Sequence, residues 1–146
     1  MRYIKIYENW FTNYFKTEIP KQNQEKIDRE LYYLIDSLGC RDTFRTLNIL
    51  RKGANPNQVY TVGRNECSLL MFASATTIFN KKILEELIKC GANVYYKTDT
   101  DLDYWNWINK VVDPNRIPQI YKIIKKYHPD FEEERELRKE IDKYNL

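Results

Sequence analysis

Two eight-residue stretches constrain this chain more than any other feature. LRKGANPN at residues 50–57 returns as IKCGANVY at residues 88–95, which sets Gly53 and Gly91 38 positions apart. A period of that size signals an array of supersecondary units, each unable to bury its apolar face alone. Before Gly91, the residues Ile83, Leu84, Leu87 and Ile88 fall on one stripe of an amphipathic helix. Before Gly53, Phe44, Leu47, Ile49 and Leu50 give a rougher version. A glycine directly after the last apolar residue marks a helix end, because it enters the left-handed region without Cβ strain.

Between the two glycines stands Ser68-Leu69-Leu70-Met71-Phe72-Ala73. Ser68 is a helix N-cap by type, its hydroxyl able to accept from early backbone N–H groups. Leu70 and Ala73 then share a face, the small alanine allowing close helix approach. "SLLMFA" together with "ILEELIKCGAN" resembles the ankyrin repeat, whose inner helix opens T-P-L-H-x-A and whose outer helix ends before Gly-Ala. Ser replaces Thr here and Leu replaces Pro. An ankyrin unit is about 33 residues long, and the excess over it falls into the loop before Ser68 and the loop around Thr76–Asn80. Insertions there leave helix stacking intact.

The same pattern continues outward. Asp103 is a good N-cap for a helix over Tyr104–Val112, with Trp105 and Ile108 in the places of Leu70 and Ala73. Trp105 therefore reads as core and Trp107 as surface. Pro114 ends that helix, Pro118 suits the first turn of the next, and Ile120, Ile123, Ile124 and Tyr127 make its apolar stripe. Residues 131–144 form a terminal helix with Leu137, Ile141 and Tyr144 on one face. Upstream, Ile27, Leu31, Leu34, Ile35 and Leu38 pair with residues 42–52. The resemblance implies an all-α fold, an ankyrin-like helix-turn-helix solenoid with short finger loops and capping helices. Its single domain divides into an N-terminal cap (1–26), three repeats (27–57, 58–95 and 96–130) and a C-terminal capping helix (131–146).

Composition narrows the function classes. The chain has 146 residues, 42% hydrophobic and 31% charged, as expected of one globular domain. A net charge of +3 is too mild to argue for nucleic acid, although basic residues interleave with aromatics in YKIIKKYH at residues 121–128. A nucleic-acid-binding accessory protein is the alternative reading. Cys40, Cys67 and Cys90 have neither CxxC nor CxxxC spacing, which favours reduced thiols and a cytoplasmic setting, the host cell's if the chain is viral or an effector. No signal peptide and no membrane-spanning stretch is evident. His128 is the only histidine and precedes Pro129 at a helix end, so no catalytic constellation is assembled and the chain reads as non-enzymatic. Asp99, Asp101 and Asp103 alternate like a calcium loop, but Tyr104 stands where such a loop needs Gly and Lys110 where it needs Glu. No metal and no cofactor is expected.

Protein recognition remains. Tyrosine is enriched where proteins meet partners, and this chain has 12 Tyr, 6 Phe and 3 Trp. The ankyrin resemblance implies binding through the fingers and the inner-helix face. By position that places Tyr60, Arg64 and Glu66 on the first finger (58–67), and Tyr95, Tyr96, Asp99 and Asp101 on the second (95–102). Met71, Phe72, Asn106 and Trp107 join them on the inner helices. The expected function is a noncatalytic module that binds and inhibits or neutralises another protein, one with a basic patch facing Asp99 and Asp101. An immunity protein or a defence antagonist is the narrower form. Tyr3, Tyr7, Trp10 and Phe11 form the alternative binding face.

Overall fold

A computed structural model describes residues 21–144; the alternative face at Tyr3, Tyr7, Trp10 and Phe11, and most of the expected N-terminal cap, lie outside the described residues. Among the described residues the fold is mostly helical, with one two-stranded hairpin. The elements run α1 (Lys21–Ile35), α2 (Thr43–Arg51), β1 (Val59–Val62), β2 (Asn65–Ser68), α3 (Leu69–Ala75), α4 (Lys81–Lys89), α5 (Tyr104–Val111), α6 (Ile117–Tyr127) and α7 (Phe131–Tyr144). Helices α1, α3 and α5 pack successively on one another as an inner row, and α2, α4 and α6 form an outer row. The rows meet where α1 packs on α2 and α3 on α4.

The 38-residue period is visible in the backbone itself. Helices α2 and α4 begin 38 residues apart, each behind a side-chain cap: Asp42 accepts from Arg45 N at 3.0 Å, and Asn80 accepts from Ile83 N at 3.2 Å. Both helices close on a glycine with positive φ, +96° at Gly53 and +99° at Gly91. After each glycine the next residue donates back into the helix, Ala54 N to Ile49 O at 3.2 Å and Ala92 N to Leu87 O at 2.9 Å. A Cβ at either glycine would meet no atom within 4 Å, so the requirement is for left-handed backbone and not for space.

Side chains then tie one unit to the next. Asn57 donates from Nδ2 to Gly91 O at 3.0 Å and accepts from Asn93 N at 2.7 Å. One unit earlier the same two backbone groups are held by a pair of residues. Gln24 donates to Gly53 O at 3.0 Å, and Asp28 accepts from Asn55 N at 2.7 Å. The starts of the outer helices are anchored likewise. Asn80 donates to Cys40 O at 2.8 Å and Thr43 Oγ1 at 2.7 Å, and Arg116 donates to Thr77 O at 2.8 Å and to Thr76 O.

The core lies between the rows. Leu31, Leu34 and Ile35 from α1, Leu69, Leu70, Met71 and Ala73 from α3, Ile83, Leu84, Leu87 and Ile88 from α4, and Ile120, Ile123 and Ile124 from α6 are all buried. In α5 the large buried residue is Tyr104, with Ile108 beneath it, and Trp105 is half-buried against Tyr121 and Phe131. Ser74 donates its one hydroxyl proton to Leu70 O at 2.7 Å, so the Tyr104 hydroxyl donates to Ser74 Oγ, also at 2.7 Å. A fully buried phenol is thereby satisfied, and burial pushes its pKa above the ordinary value.

Four expectations are corrected. The first finger is a β-hairpin and not a loop, with Val59 opposite Ser68 and Val62 opposite Asn65. Its strand residues Val59, Tyr60, Thr61 and Val62 are β-branched or aromatic, and Gly63 supplies the positive φ of the turn. Phe44 is 83% exposed, because α2 turns Thr46, Ile49 and Leu50 inward instead. Met71, expected on the binding face, is completely buried, since α3 presents three consecutive apolar residues to a core that surrounds it. On α7, Leu137, Ile141 and Tyr144 remain exposed; the helix is seated through Phe131, which is 1% exposed, at its first turn.

Two outcomes follow for stability. Ser74→Ala strands the buried Tyr104 hydroxyl and should cost about 1–3 kcal/mol in urea denaturation. Adding Tyr104→Phe should recover part of that loss, so the double variant falls short of the sum of the singles. In the outer row Glu85 accepts from Lys126 and, at 2.8 Å, from the Tyr127 hydroxyl. Those bonds, Lys126 first, hold the carboxyl below its ordinary 4.5. Its contribution is therefore present above pH 4.5 and lost as pH falls through the lowered value. Glu85→Gln should flatten that acid limb of the stability profile.

Candidate functional site

The second finger is more self-contained than its composition implies. Thr98 N donates to Leu102 O at 3.0 Å, Leu102 N donates to Thr98 Oγ1 at 3.2 Å, and Asp101 N donates to Thr98 O at 3.0 Å. Asp101 adopts φ +65° to close this turn and its carboxylate pairs with Lys97 at 3.3 Å. Asp103 caps α5 by accepting from Asn106 N at 2.8 Å, and its other oxygen takes two bonds from Arg135, each 3.0 Å. Asp101 thus closes the turn and Asp103 caps a helix, while Asp99 is exposed. Among the described residues no cluster of three or more His, Cys, Asp or Glu side chains is placed to hold a metal ion.

The aromatics at the base of that finger are occupied within the molecule. Tyr95 stacks on Phe131 with centroids 5.5 Å apart, and the Arg138 guanidinium lies 4.4 Å above the Tyr95 ring. His128 meets the same ring edge-on at 5.8 Å. Together with the Arg135–Asp103 pair and a 3.0 Å bond from Lys97 to Asp142, these contacts seat α7 against the finger. The Tyr96 hydroxyl donates to Glu66 on β2, which links the two fingers. Burial first, then the Glu66 carboxylate, raises the Tyr96 pKa. Tyr95, Tyr96 and Glu66 therefore build the scaffold, and Arg64 is exposed at the hairpin turn.

The remaining expected residues converge elsewhere. Phe72 on α3 and Trp107 on α5, both half-buried, face a groove of about 360 Å³ between the inner helices and the hairpin. Val62 and Cys67 of the hairpin, Thr76 and Thr77 after α3, and Asp36 after α1 complete its walls. Tyr60 reaches this wall indirectly: its ring lies 4.0 Å from that of Tyr32, which in turn meets Phe72 edge-on at 6.3 Å. Asn106 sits apart, beside Arg135 and Asp103. The structure thus joins Phe72 and Trp107, brings Tyr60 to their margin, and separates them from Asp99 and Asp101.

Val62, Thr76 and Asp36 escaped the sequence reading. Val62 became visible as a wall residue only once β1 was a strand, and strand alternation in VYTV is the signal that marks it. Asp36 follows the last apolar residue of α1 and has no motif of its own.

The groove offers shape and apolar contact, and its thiol is not primed for chemistry. Burial, then the neighbouring Glu66, raises the Cys67 pKa, while burial alone pushes Cys40 up to about 12. No disulfide joins Cys40, Cys67 and Cys90. On the opposite side, the basic stretch at residues 121–128 turns Ile123, Ile124 and Tyr127 inward. Its Lys125 and Lys126 are ion-paired with Glu132 and Glu85. No helix among the described residues is long and apolar enough to cross a membrane.

Tyr95→Ala should loosen α7, lowering stability by about 1–2 kcal/mol through the lost aromatic and cation–π contacts. Limited proteolysis within residues 131–144 should accelerate in step; unchanged cleavage would show that Phe131 and Arg135 suffice. Compared with family models, with curated proteins and with solved structures, the chain matches none.

Proposed function

We propose that this chain is a diverged ankyrin-like repeat protein that works by binding another protein, without catalysis of its own. Support for the repeat reading comes from the paired helix rows, the two glycine-closed outer helices 38 residues apart and the unit-to-unit bonds of Asn57. One observation carries the binding reading: Phe72 and Trp107 are left half-exposed in a groove on the inner row, while Tyr95, Tyr96, Tyr104 and Trp105 are spent on internal contacts. Aromatic anchors in a concave, partly dry surface are the usual centre of protein interfaces. Occupation of the groove by a partner surface would block that surface, so inhibition or neutralisation is the mode of action proposed. Immunity against a toxin and antagonism of a defence enzyme are its narrower forms. Asp99 at the edge of the second finger adds an acidic contact for a basic partner.

Affinity capture from the source cells, with the full chain as bait, tests this directly. A stoichiometric protein should bind the wild type and be lost with Phe72→Ala/Trp107→Ala, while the variant keeps its cooperative thermal melt. Equal capture by a folded double variant would move the interface away from the groove. Recovery of nucleic acid in place of protein would contradict the reading itself.

A further inference from the structure

The groove has a charge pattern as well as a shape. Asp36 is the one charged residue in its lining; Ile35, Val62, Phe72 and Trp107 give it apolar and aromatic walls. Asp36 stands one residue past α1, exposed, with its backbone N–H fixed to Tyr32 O at 2.8 Å. None of the ion pairs among the described residues uses its carboxylate. The carboxylate also faces the Tyr32 hydroxyl; burial and then that negative neighbour raise the Tyr32 pKa.

A carboxylate without a cation, set at the margin of an aromatic wall, selects for a group that is positive at its tip and apolar along its stem. An arginine side chain meets both demands. Its aliphatic stem can lie along apolar surface while its planar guanidinium stacks on a ring and binds a carboxylate with two parallel bonds. A lysine offers the charge without the planar face or the paired bonds. We infer that the groove is an arginine-recognition site: a partner protein inserts an arginine whose stem lies against Phe72 and Trp107 and whose guanidinium pairs with Asp36. This rests on the recognition reading above and names what the partner must present. It places the arginine contact at Asp36 beside the first helix, apart from any further basic contact at Asp99 on the second finger.

The test uses the isotope-labelled full chain and two peptides, acetyl-Gly-Leu-Arg-Leu-Gly-amide and the same peptide with citrulline, which keeps the shape and lacks the charge. Titration followed by amide spectra should give saturable shifts at the Trp107 indole N–H and at Val62, Cys67 and Thr76. The citrulline peptide should bind at least about tenfold more weakly, the loss expected when a charge-assisted pair is removed. Asp36→Asn should bring the arginine peptide down to the citrulline level with unchanged thermal stability. Equal binding of the two peptides, no saturable binding at millimolar arginine peptide, or shifts centred on Asp99 and Asp101 would each overturn the inference. The two readings fail separately. If the captured partner is lost with Phe72→Ala/Trp107→Ala but retained by Asp36→Asn, the arginine assignment falls and the recognition reading stands. If capture survives both variants, the groove is not the interface: the arginine assignment falls with it, and protein binding moves to another face.

Discussion

Asn57 holds two backbone groups of the next turn at once, and the rest of the stack depends on arrangements of that kind. Its amide caps Gly91 O and its carbonyl receives Asn93 N, so the turn closing one unit is fixed by the turn closing the previous one. Turns between helices carry backbone groups that no helix satisfies, and in a stacked array those groups face the neighbouring unit. A side chain with one donor end and one acceptor end answers both in a single residue. At the preceding turn, Gln24 and Asp28 divide the same work. The apolar contacts between rows supply most of the favourable free energy, yet they are nondirectional. These polar ties add the direction that the apolar contacts lack.

Aromatic content is the chain's most visible peculiarity, and the structure divides it by use. Tyr104 is core and is satisfied through Ser74. Tyr95 and Trp105 clamp the terminal helix around Phe131, and Tyr96 joins the fingers through Glu66. Tyr32 and Tyr60 stack behind the groove, leaving Phe72 and Trp107 at its surface. An amphipathic ring with a polar tip can serve any of these roles, and only the neighbours decide which. Counting tyrosines therefore says that many surfaces are aromatic without saying which of them is open.

Much of the architecture was legible in the residues. The glycine spacing, the caps at Ser68 and Asp103 and the apolar stripe of α6 are local signals, and local signals are read from adjacent positions. The terminal helix, Phe131–Tyr144, also falls within the expected span. What failed depends on tertiary surroundings. Met71 is flanked by apolar residues on both sides, so only the packing of α3 against its neighbours decides that it is buried. Tyr95 and Asp101 read as display residues because their partners, Arg138, Phe131 and Lys97, reach them through the fold. The hairpin lies inside a stretch whose length reads as a loop. Phe72 and Trp107 were recognisable as candidates, but Asp36 was not, since a carboxylate after a helix is ordinary until one sees what stands opposite it.

In the proposed mode of action the inner groove, and not the outer helices, faces the protein partner. Hydrogen–deuterium exchange of the full chain with and without its captured partner measures that most directly. Slowed exchange is expected at the hairpin turn, over residues 69–77 and over residues 104–111, with α4 and α6 unchanged. Protection confined to α4 and α6, with the groove exchanging as in the free chain, would contradict it.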